Sequence, residues 1–470
     1  MSKLRYVVGV CLLLASALMA EDGDRPNILL ITGDDLGYQL GCYGDRVATT
    51  PHMDRLGREG LRFARAYVTQ SSCSSSRSSI LTGLYPHQNG QIGLAHLGYR
   101  MQSDTLPTLP GQLAKAGYRT GIIGKLHVGP ESAFAFDFRQ TQVGQTRETA
   151  FVVKKVGEFL ATVKDRPFFL MLNLFDPHGP FLRDVQGSPK VKVEPDQVAP
   201  FPFLKAELTD ARQRIANFYT CVNRMDEIVG AVIKLLESRG AASNLLIVLV
   251  GDNGPPFPGA KCSIYEAGLR VPCIVWYPGR VPRDKTSDAL VSMVDLMPTL
   301  LEAGKAEVPG GLAGRSLWPV LRGQDAGWRQ TLAAEYTSHE PDMYFPQRSI
   351  RDGRYKLIVS LMHDAVSKKR EYDGVPLARL FPRYAGTPPV ALYDLKEDPW
   401  ETRNLANSPR HEAILKKLTA ELHAWRKATQ DPLLDPAEFE KLTAWQIPFG
   451  QGYAKQKTAS TQPGRGGRGD

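Results

Sequence analysis

Four short apolar runs each stop abruptly at charged or metal-capable side chains, and this punctuation constrains the fold more than any other feature of the chain. Asn27 to Thr32 leads into Asp34 and Asp35, and Tyr118 to Ile123 into Lys125 and His127. Phe168 to Leu174 leads into Asp176 and His178, and Asn244 to Val250 into Asp252 and Asn253. Runs of this length without polar alternation fit strands buried on both faces, as in a largely parallel sheet covered by helices. In open α/β sheets ligands gather beyond the carboxyl ends of the strands, so tips far apart in sequence can meet at one cleft. The segment between the third and fourth runs supports the same class. Tyr219, Val222, Met225, Val229, Val232 and Leu236 share one face of a helix over Asp210 to Ser238, and Gly240 supplies a stop.

The pattern changes after about residue 325. Arg348 to Arg351, Tyr355 to Leu361 and Ala391 to Asp394 read as strands without long helices between them, and Arg410 to Ala428 as an amphipathic helix. A small antiparallel sheet with a packed helix is the simplest second domain. The Pro-rich stretch Val191 to Pro202 reads as an extended surface loop. At the start, Lys3 and Arg5 precede the apolar run Val7 to Leu14 and small residues ending at Ala20, the form of a secretory signal. That run is too short to span a bilayer. The expected organisation is a signal peptide over 1–20, a catalytic domain over 25–325, a C-terminal subdomain over 326–450 and a disordered basic tail over 451–470.

Export permits disulfides, yet the cysteines after the signal are Cys42, Cys73, Cys221, Cys262 and Cys273, an odd set without framework spacing, and no pairing is assigned. The net charge of +9, from 58 basic against 49 acidic residues, suits an enzyme that attracts polyanions. No nucleic-acid-binding motif accompanies it.

Chemistry concentrates in Cys73-Ser74-Ser75-Ser76-Arg77-Ser78-Ser79-Ile80-Leu81-Thr82-Gly83, which sets a cysteine and an arginine four apart at the mouth of a helix. The pair is a candidate nucleophile with an anion clamp, although a serine-rich helix cap is the plainer reading. Asp34, Asp35, Asp252 and Asn253 offer hard oxygen ligands from two strand tips, suited to Ca²⁺ or Mg²⁺. Lys125 and His127 would face one side in a strand-like geometry. His178 follows the stiff Asp176-Pro177 step, and Lys261 follows the loop Gly254 to Gly259.

The Cys73 segment resembles the signature of the type I sulfatases, Cys/Ser-x-Pro/Ala-x-Arg with a Leu-Thr-Gly tail, except that Ser75 stands at the Pro/Ala position. Longer phrases are most similar to the heparan N-sulfatases. They include Pro86 to Gly90, Thr120 to Lys125, His127 to Glu131, Arg224-Met225-Asp226, Asp252-Asn253-Gly254, His339-Glu340 and Leu392-Tyr393-Asp394. Lys261 departs from the arginine of the animal enzymes. The resemblance implies an alkaline-phosphatase-like large sheet plus a smaller α+β domain. It implies Cys73 converted to formylglycine (3-oxoalanine) by a maturation enzyme, and one Ca²⁺, Mg²⁺ being second choice, held by Asp34, Asp35, residue 73, Asp252 and Asn253. Arg77, Lys125, His127, His178 and Lys261 would surround the nucleophile and the sulfate oxygens. His178, with Lys261, would protonate the leaving atom, and His127 would take a proton from the formylglycine hydrate. His339, Glu340 and Arg348 would recognise the sugar. The implied activity is removal of the N-sulfate of glucosamine N-sulfate at the non-reducing end of heparan fragments, in a bacterial periplasm. Three other readings stand beside it: an O-sulfatase on another sulfated sugar, a phosphomonoesterase or phosphonate hydrolase, and a glycan-binding protein if Cys73 is never converted. The partners are a sulfated glycan and the maturation enzyme, without nucleic acid or a membrane span, and a homodimer stays open.

Overall fold

The computed structural model describes residues 25–204, 208–362, 371–372, 375–376 and 387–460, so the expected signal and residues 461–470 lie outside the described residues. Eight strands build the main sheet. They are β1 (Asn27–Gly33), β2 (Leu61–Tyr67), β3 (Arg119–Gly124), β4 (Phe138–Gln140), β5 (Phe168–Leu174), β6 (Leu245–Gly251), β7 (Cys273–Trp276) and β8 (Lys285–Ser292). Their spatial order is β4-β3-β5-β1-β6-β7-β2-β8. β7 runs antiparallel to both neighbours, and the other pairings are parallel.

The central strands are apolar on both sides because both sides are covered. In β1, Ile28 and Leu30 enter one core while Leu29 and Ile31 enter the opposite one, the two-residue alternation of a strand. Helices α1 (Pro51–Glu59), α4 (Thr149–Ala161) and α5 (Ala211–Ser238) cover the Leu29 side. Helices α2 (Cys73–Thr82), α3 (Leu109–Lys115) and α6 (Leu296–Ala303) cover the Ile28 side. All six residues expected on the apolar face of α5 are buried.

A second sheet follows, in the order β14-β11-β10-β9. It comprises β9 (Leu332–Tyr336), β10 (Gln347–Arg351), β11 (Tyr355–Ser360) and β14 (Val390–Asp394), all antiparallel. The short pair β12 (Glu371–Tyr372) and β13 (Val375–Pro376) stands apart from it. Helix α7 (Glu412–Ala428) lays Leu418 and Leu422 on Ile350, Leu357 and Leu392. The expected boundary near residue 325 falls between the sheets but not between cores: Leu332, Ala334, Tyr336, Ile358 and Tyr393 belong to the same buried cluster as Ile28 and Leu30.

One expectation is refined and one corrected. The segment Val191 to Pro202 is the expected surface loop, mostly exposed, but it is pinned: Val193, Val198 and Phe201 are buried against the α5 side, with Phe201 packed on Phe218 and Phe257. Of the tail expected to be unstructured over 451–470, residues 451–460 continue helix α8 (Pro436–Ser460), whose Gln446 is buried and bonded to Tyr99 and the Pro341 carbonyl, and 461–470 lie outside the described residues. Cys42, Cys73, Cys221 and Cys273 form no disulfide among the described residues. No helix among the described residues is long and apolar enough to cross a membrane.

Candidate active site

β1 lies between β5 and β6, with β3 one strand further out, so the four apolar runs deliver their polar tips to one edge of the sheet. Asp34 and Asp35 leave β1 fully buried, as do Asp252 and Asn253 beyond β6. Helix α2 begins in this cluster, at Cys73. All ten of its residues are buried, and its serines other than Ser76, whose Oγ has no hydrogen-bond partner among the described residues, fit there because their hydroxyls are bonded nearby. Ser78 and Thr82 donate to the Ser75 and Ser78 carbonyls, and the Ser75 hydroxyl accepts from Gln70. Gly83, at φ 67°, closes the helix in a left-handed conformation suited to glycine.

Ligand atoms of Asp34, Asp35, Cys73 and Asp252 all lie within 4.8 Å of one another. Cys73 Sγ is 3.5 Å from Asp34 Oδ1 and 3.9 Å from Asp35 Oδ1. The Asn253 amide donates to Asp35 Oδ1 at 2.8 Å, while its own Oδ1 is buried with no hydrogen-bond partner among the described residues. An unpartnered buried acceptor is costly. Beside three carboxylates it completes a donor set for a hard cation.

Three side-chain cations enclose the cluster. Arg77 Nε donates to Asp252 at 2.9 Å, Lys125 Nζ to Asp34 at 2.6 Å, and Lys261 Nζ lies 2.7 Å from Asp35 Oδ1. Burial opposes charge on each of the three, but their acidic neighbours together, led by Asp252, Asp34 and Asp35 respectively, outweigh it and hold their pKa values above the usual range. Burial, with Asp34 beside it, pushes Asp252 upward; burial acts the same way on Asp34, where Lys125, His178, Arg77 and Lys261 together outweigh it and hold the group down. Arg77 Nη2 is buried without a hydrogen-bond partner among the described residues, 3.9 Å from Asp34 Oδ2.

Lys125 and His127 do not share a face through strand geometry, as expected from their spacing. β3 ends at Gly124, with φ 95° and the Asn173 carbonyl 1.9 Å from where a Cβ would sit, and His127 itself has φ 56°. The chain turns there. His127 Nε2 meets His96 Nδ1 at 2.6 Å. Burial first, then Lys125, push the His127 pKa down to about 2. His178 sits beyond β5 with Nδ1 2.6 Å from the Gly179 carbonyl and Nε2 3.8 Å from Asp35. Asp176 anchors this loop: it pairs with Arg147 at 2.9 Å and Arg224 at 2.6 Å, and both guanidinium groups also hold loop carbonyls.

The expected sugar-binding trio is divided. His339 Nδ1 bonds the hydroxyl of Ser72, the residue before Cys73, at 2.9 Å. Glu340 faces α8, 2.6 Å from Lys457. Arg348 must be withdrawn from substrate recognition, because it is fully buried and forked onto Asp431 at 2.9 and 3.0 Å. Sequence reading also missed His96, a lone loop histidine without a motif, and Asn173, which holds the Lys125 carbonyl at 2.7 Å. Asn173 did carry a signal, as the one polar side chain in the run Phe168 to Leu174.

Residues 26–306 match the family model described as Sulfatase. The chain belongs to the sulfatase family. Residues 260–373 also match the model for the N-sulphoglucosamine sulphohydrolase C-terminal region. Human N-sulphoglucosamine sulphohydrolase is 34% identical over 462 residues, covering 87% of this chain and 91% of that protein. A protein solved in complex with its substrate D-glucosamine-2-N,6-O-disulfate shares the fold at TM-score 0.69 and 23% identity, over 87% of this chain and 99% of that one. The phosphonate monoester hydrolase of Agrobacterium radiobacter shares it equally, at TM-score 0.69 and 18% identity over 86% and 96% of the two chains. Fold alone therefore does not choose between sulfur and phosphorus. Membership of the sulfatases does, and this protein is a hydrolase of sulfate esters or sulfamates.

Proposed function

We propose that this sulfatase removes the N-sulfate from glucosamine N-sulfate at the non-reducing end of heparin or heparan sulfate fragments. The observation that carries the reading is the 34% identity to human N-sulphoglucosamine sulphohydrolase over 87% of the chain, a span that takes in both sheets. Export through residues 1–20 into a periplasm accompanies it.

The reading takes Cys73 as 3-oxoalanine, its hydrate supplying the attacking oxygen, and Asp34, Asp35, Asp252, Asn253 and residue 73 as the ligands of one Ca²⁺. The donor set fits that ion, being oxygen-rich, with one buried amide oxygen unsatisfied. When bound, Ca²⁺ would act as a Lewis acid on the oxygen at residue 73 and on the sulfate. Charge supports the same assignment. Three carboxylates already neutralise Arg77, Lys125 and Lys261, so an anionic substrate needs further positive charge. Arg77 Nη2, left without a partner, would meet a sulfate oxygen, and Lys125 and Lys261 would offset charge on the others as the sulfuryl group flattens. His178, with Nδ1 committed to the Gly179 carbonyl, presents Nε2 to protonate the departing nitrogen. His127 takes the proton from the hydroxyl of residue 73.

Two matched disaccharides test the specificity, one carrying only an N-sulfate on the non-reducing glucosamine and the other only a 6-O-sulfate, with protein made alongside a formylglycine-generating enzyme. Sulfate release from the first is the expected result. Release from the second alone would replace the N-sulfatase reading by an O-sulfatase one. The cation is tested separately by thermal unfolding of chelator-treated protein. Ca²⁺ should raise the midpoint, because a ligand of the folded state stabilises by about 2.7 kcal/mol at a hundredfold excess over its Kd. An unmoved midpoint would remove Ca²⁺ from the site.

A further inference from the structure

His96 lies outside every motif used above, yet it touches the histidine assigned as base. Its Nδ1 is 2.6 Å from His127 Nε2, and the two rings stack at a centroid distance of 4.9 Å and an interplanar angle of 26°. At that separation one nitrogen must donate and the other accept, so the pair shares a single proton. His127 Nδ1, on the other side of the ring, is buried with no hydrogen-bond partner among the described residues.

The segment carrying His96 is built into the site. The Ala95 amide donates to Ser74 Oγ at 3.0 Å on the nucleophile helix, and the Leu94 amide to the His339 carbonyl at 2.9 Å. Tyr99, at its far end, is buried and bonded to Ser338 and Gln446. The backbone around the exposed His96 is thus held in place, and its ring lies against that of His127.

We propose that His96 is a positioning residue for the reaction: by accepting the Nε2 proton of His127, it holds the tautomer in which Nδ1 of His127 carries a lone pair toward the reacting groups. The proposal rests on the functional reading above for the role of His127, not for the hydrogen bond itself. Two features favour a neutral His127 bonded in this direction. A base needs a bare nitrogen on its working side, and the partner that fixes the other nitrogen determines which one that is. The nearby cations Lys125 and Arg77 also oppose further positive charge on His127, while Asp34 favours it. A neutral ring answers that field. No bond is made or broken in this role; His96 sets where the proton of a neutral imidazole resides.

The test compares His96→Ala with His96→Asn, whose amide oxygen occupies roughly the place of the lost Nδ1 and can accept from His127 Nε2. With the N-sulfated disaccharide, His96→Ala should lower kcat about ten- to a hundredfold, the usual scale for losing an orienting partner of a site histidine, and leave KM nearly unchanged. His96→Asn should recover most of that loss. Nitrogen NMR of the His127 ring supplies a readout independent of turnover: a proton on Nε2 in the wild type and in the Asn variant, and a mixture of tautomers in the Ala variant. The proposal fails if the Ala variant keeps its kcat, if Asn is as slow as Ala, or if the His127 tautomer ignores all three side chains. If the wild type itself releases no sulfate from the disaccharide, the substrate reading falls, and the NMR comparison still decides the role of His96.

Discussion

Sulfate release falls by at least about ten-thousandfold when Cys73 is replaced by alanine, the scale on which losing a nucleophile leaves only binding and charge stabilisation. The reason lies in what surrounds the thiol. Burial pushes the Cys73 thiol well above the usual thiol range, and Lys125 and Lys261 only partly oppose it. Its nearest polar neighbours are the carboxylates of Asp34 and Asp35, which disfavour a thiolate further. An unmodified Cys73 is therefore a poor nucleophile in this site, although the signature alone suggests an activated one. Oxidation to the aldehyde, as proposed, would replace that thiol by a hydrate whose hydroxyl needs no thiolate. Activity should accordingly track the converted fraction, measured by the mass of the Cys73 peptide across preparations with and without the maturation enzyme. The alanine variant should fold normally, since only a small buried sulfur is lost. Turnover by that variant, or by fully unconverted protein, would overturn the assignment.

The site was legible because its donors sit where apolar strands end, and strands buried on both faces carry few polar residues before that point, Asn173 and Thr32 being exceptions that bond each other. Asp34, Asp35, Asp252 and Asn253 follow directly from that pattern, and so do Lys125 and His178. Strands that break the pattern were not legible. The first half of β8 is largely exposed and reads Lys285-Thr286-Ser287-Asp288, and β2 interleaves Arg62 and Arg65 with its buried positions. Both are strands only because neighbours distant in sequence pair with them. Asp176 shows the limit of that pattern: it stands at a strand tip like the metal candidates, but Arg147 and Arg224, 29 and 48 residues away, claim its carboxylate. No local pattern announces such pairs, nor the meeting of His96 with His127.

Arg348 is the sharpest case of that limit, and its replacement by alanine should unfold the protein more readily without weakening substrate binding. The side chain is fully buried in β10, and its fork meets both oxygens of Asp431, which also pairs with Arg426 at 2.6 Å. Glu335 of β9 lies 3.8 Å from the same guanidinium and carries the short contact to His87. Burial opposes ionisation of Asp431, but Arg348 outweighs it and holds the carboxyl well below its usual range. Removing the arginine strands two buried carboxylates with less compensation, a change that costs about 3–5 kcal/mol. Urea denaturation should show this as a lower midpoint, while KM for the folded enzyme stays near its original value. Arg348→Lys should fall between the two, since a point charge cannot reproduce the fork. Acid supplies a second check. A depressed folded-state pKa gives stability that is fully present above the unfolded carboxyl value of about 3.9 and is lost as pH falls toward the folded value. The alanine variant, already lacking that contribution, should lose less on acidification than the wild type. A raised KM with unchanged unfolding would instead return Arg348 to the sugar pocket.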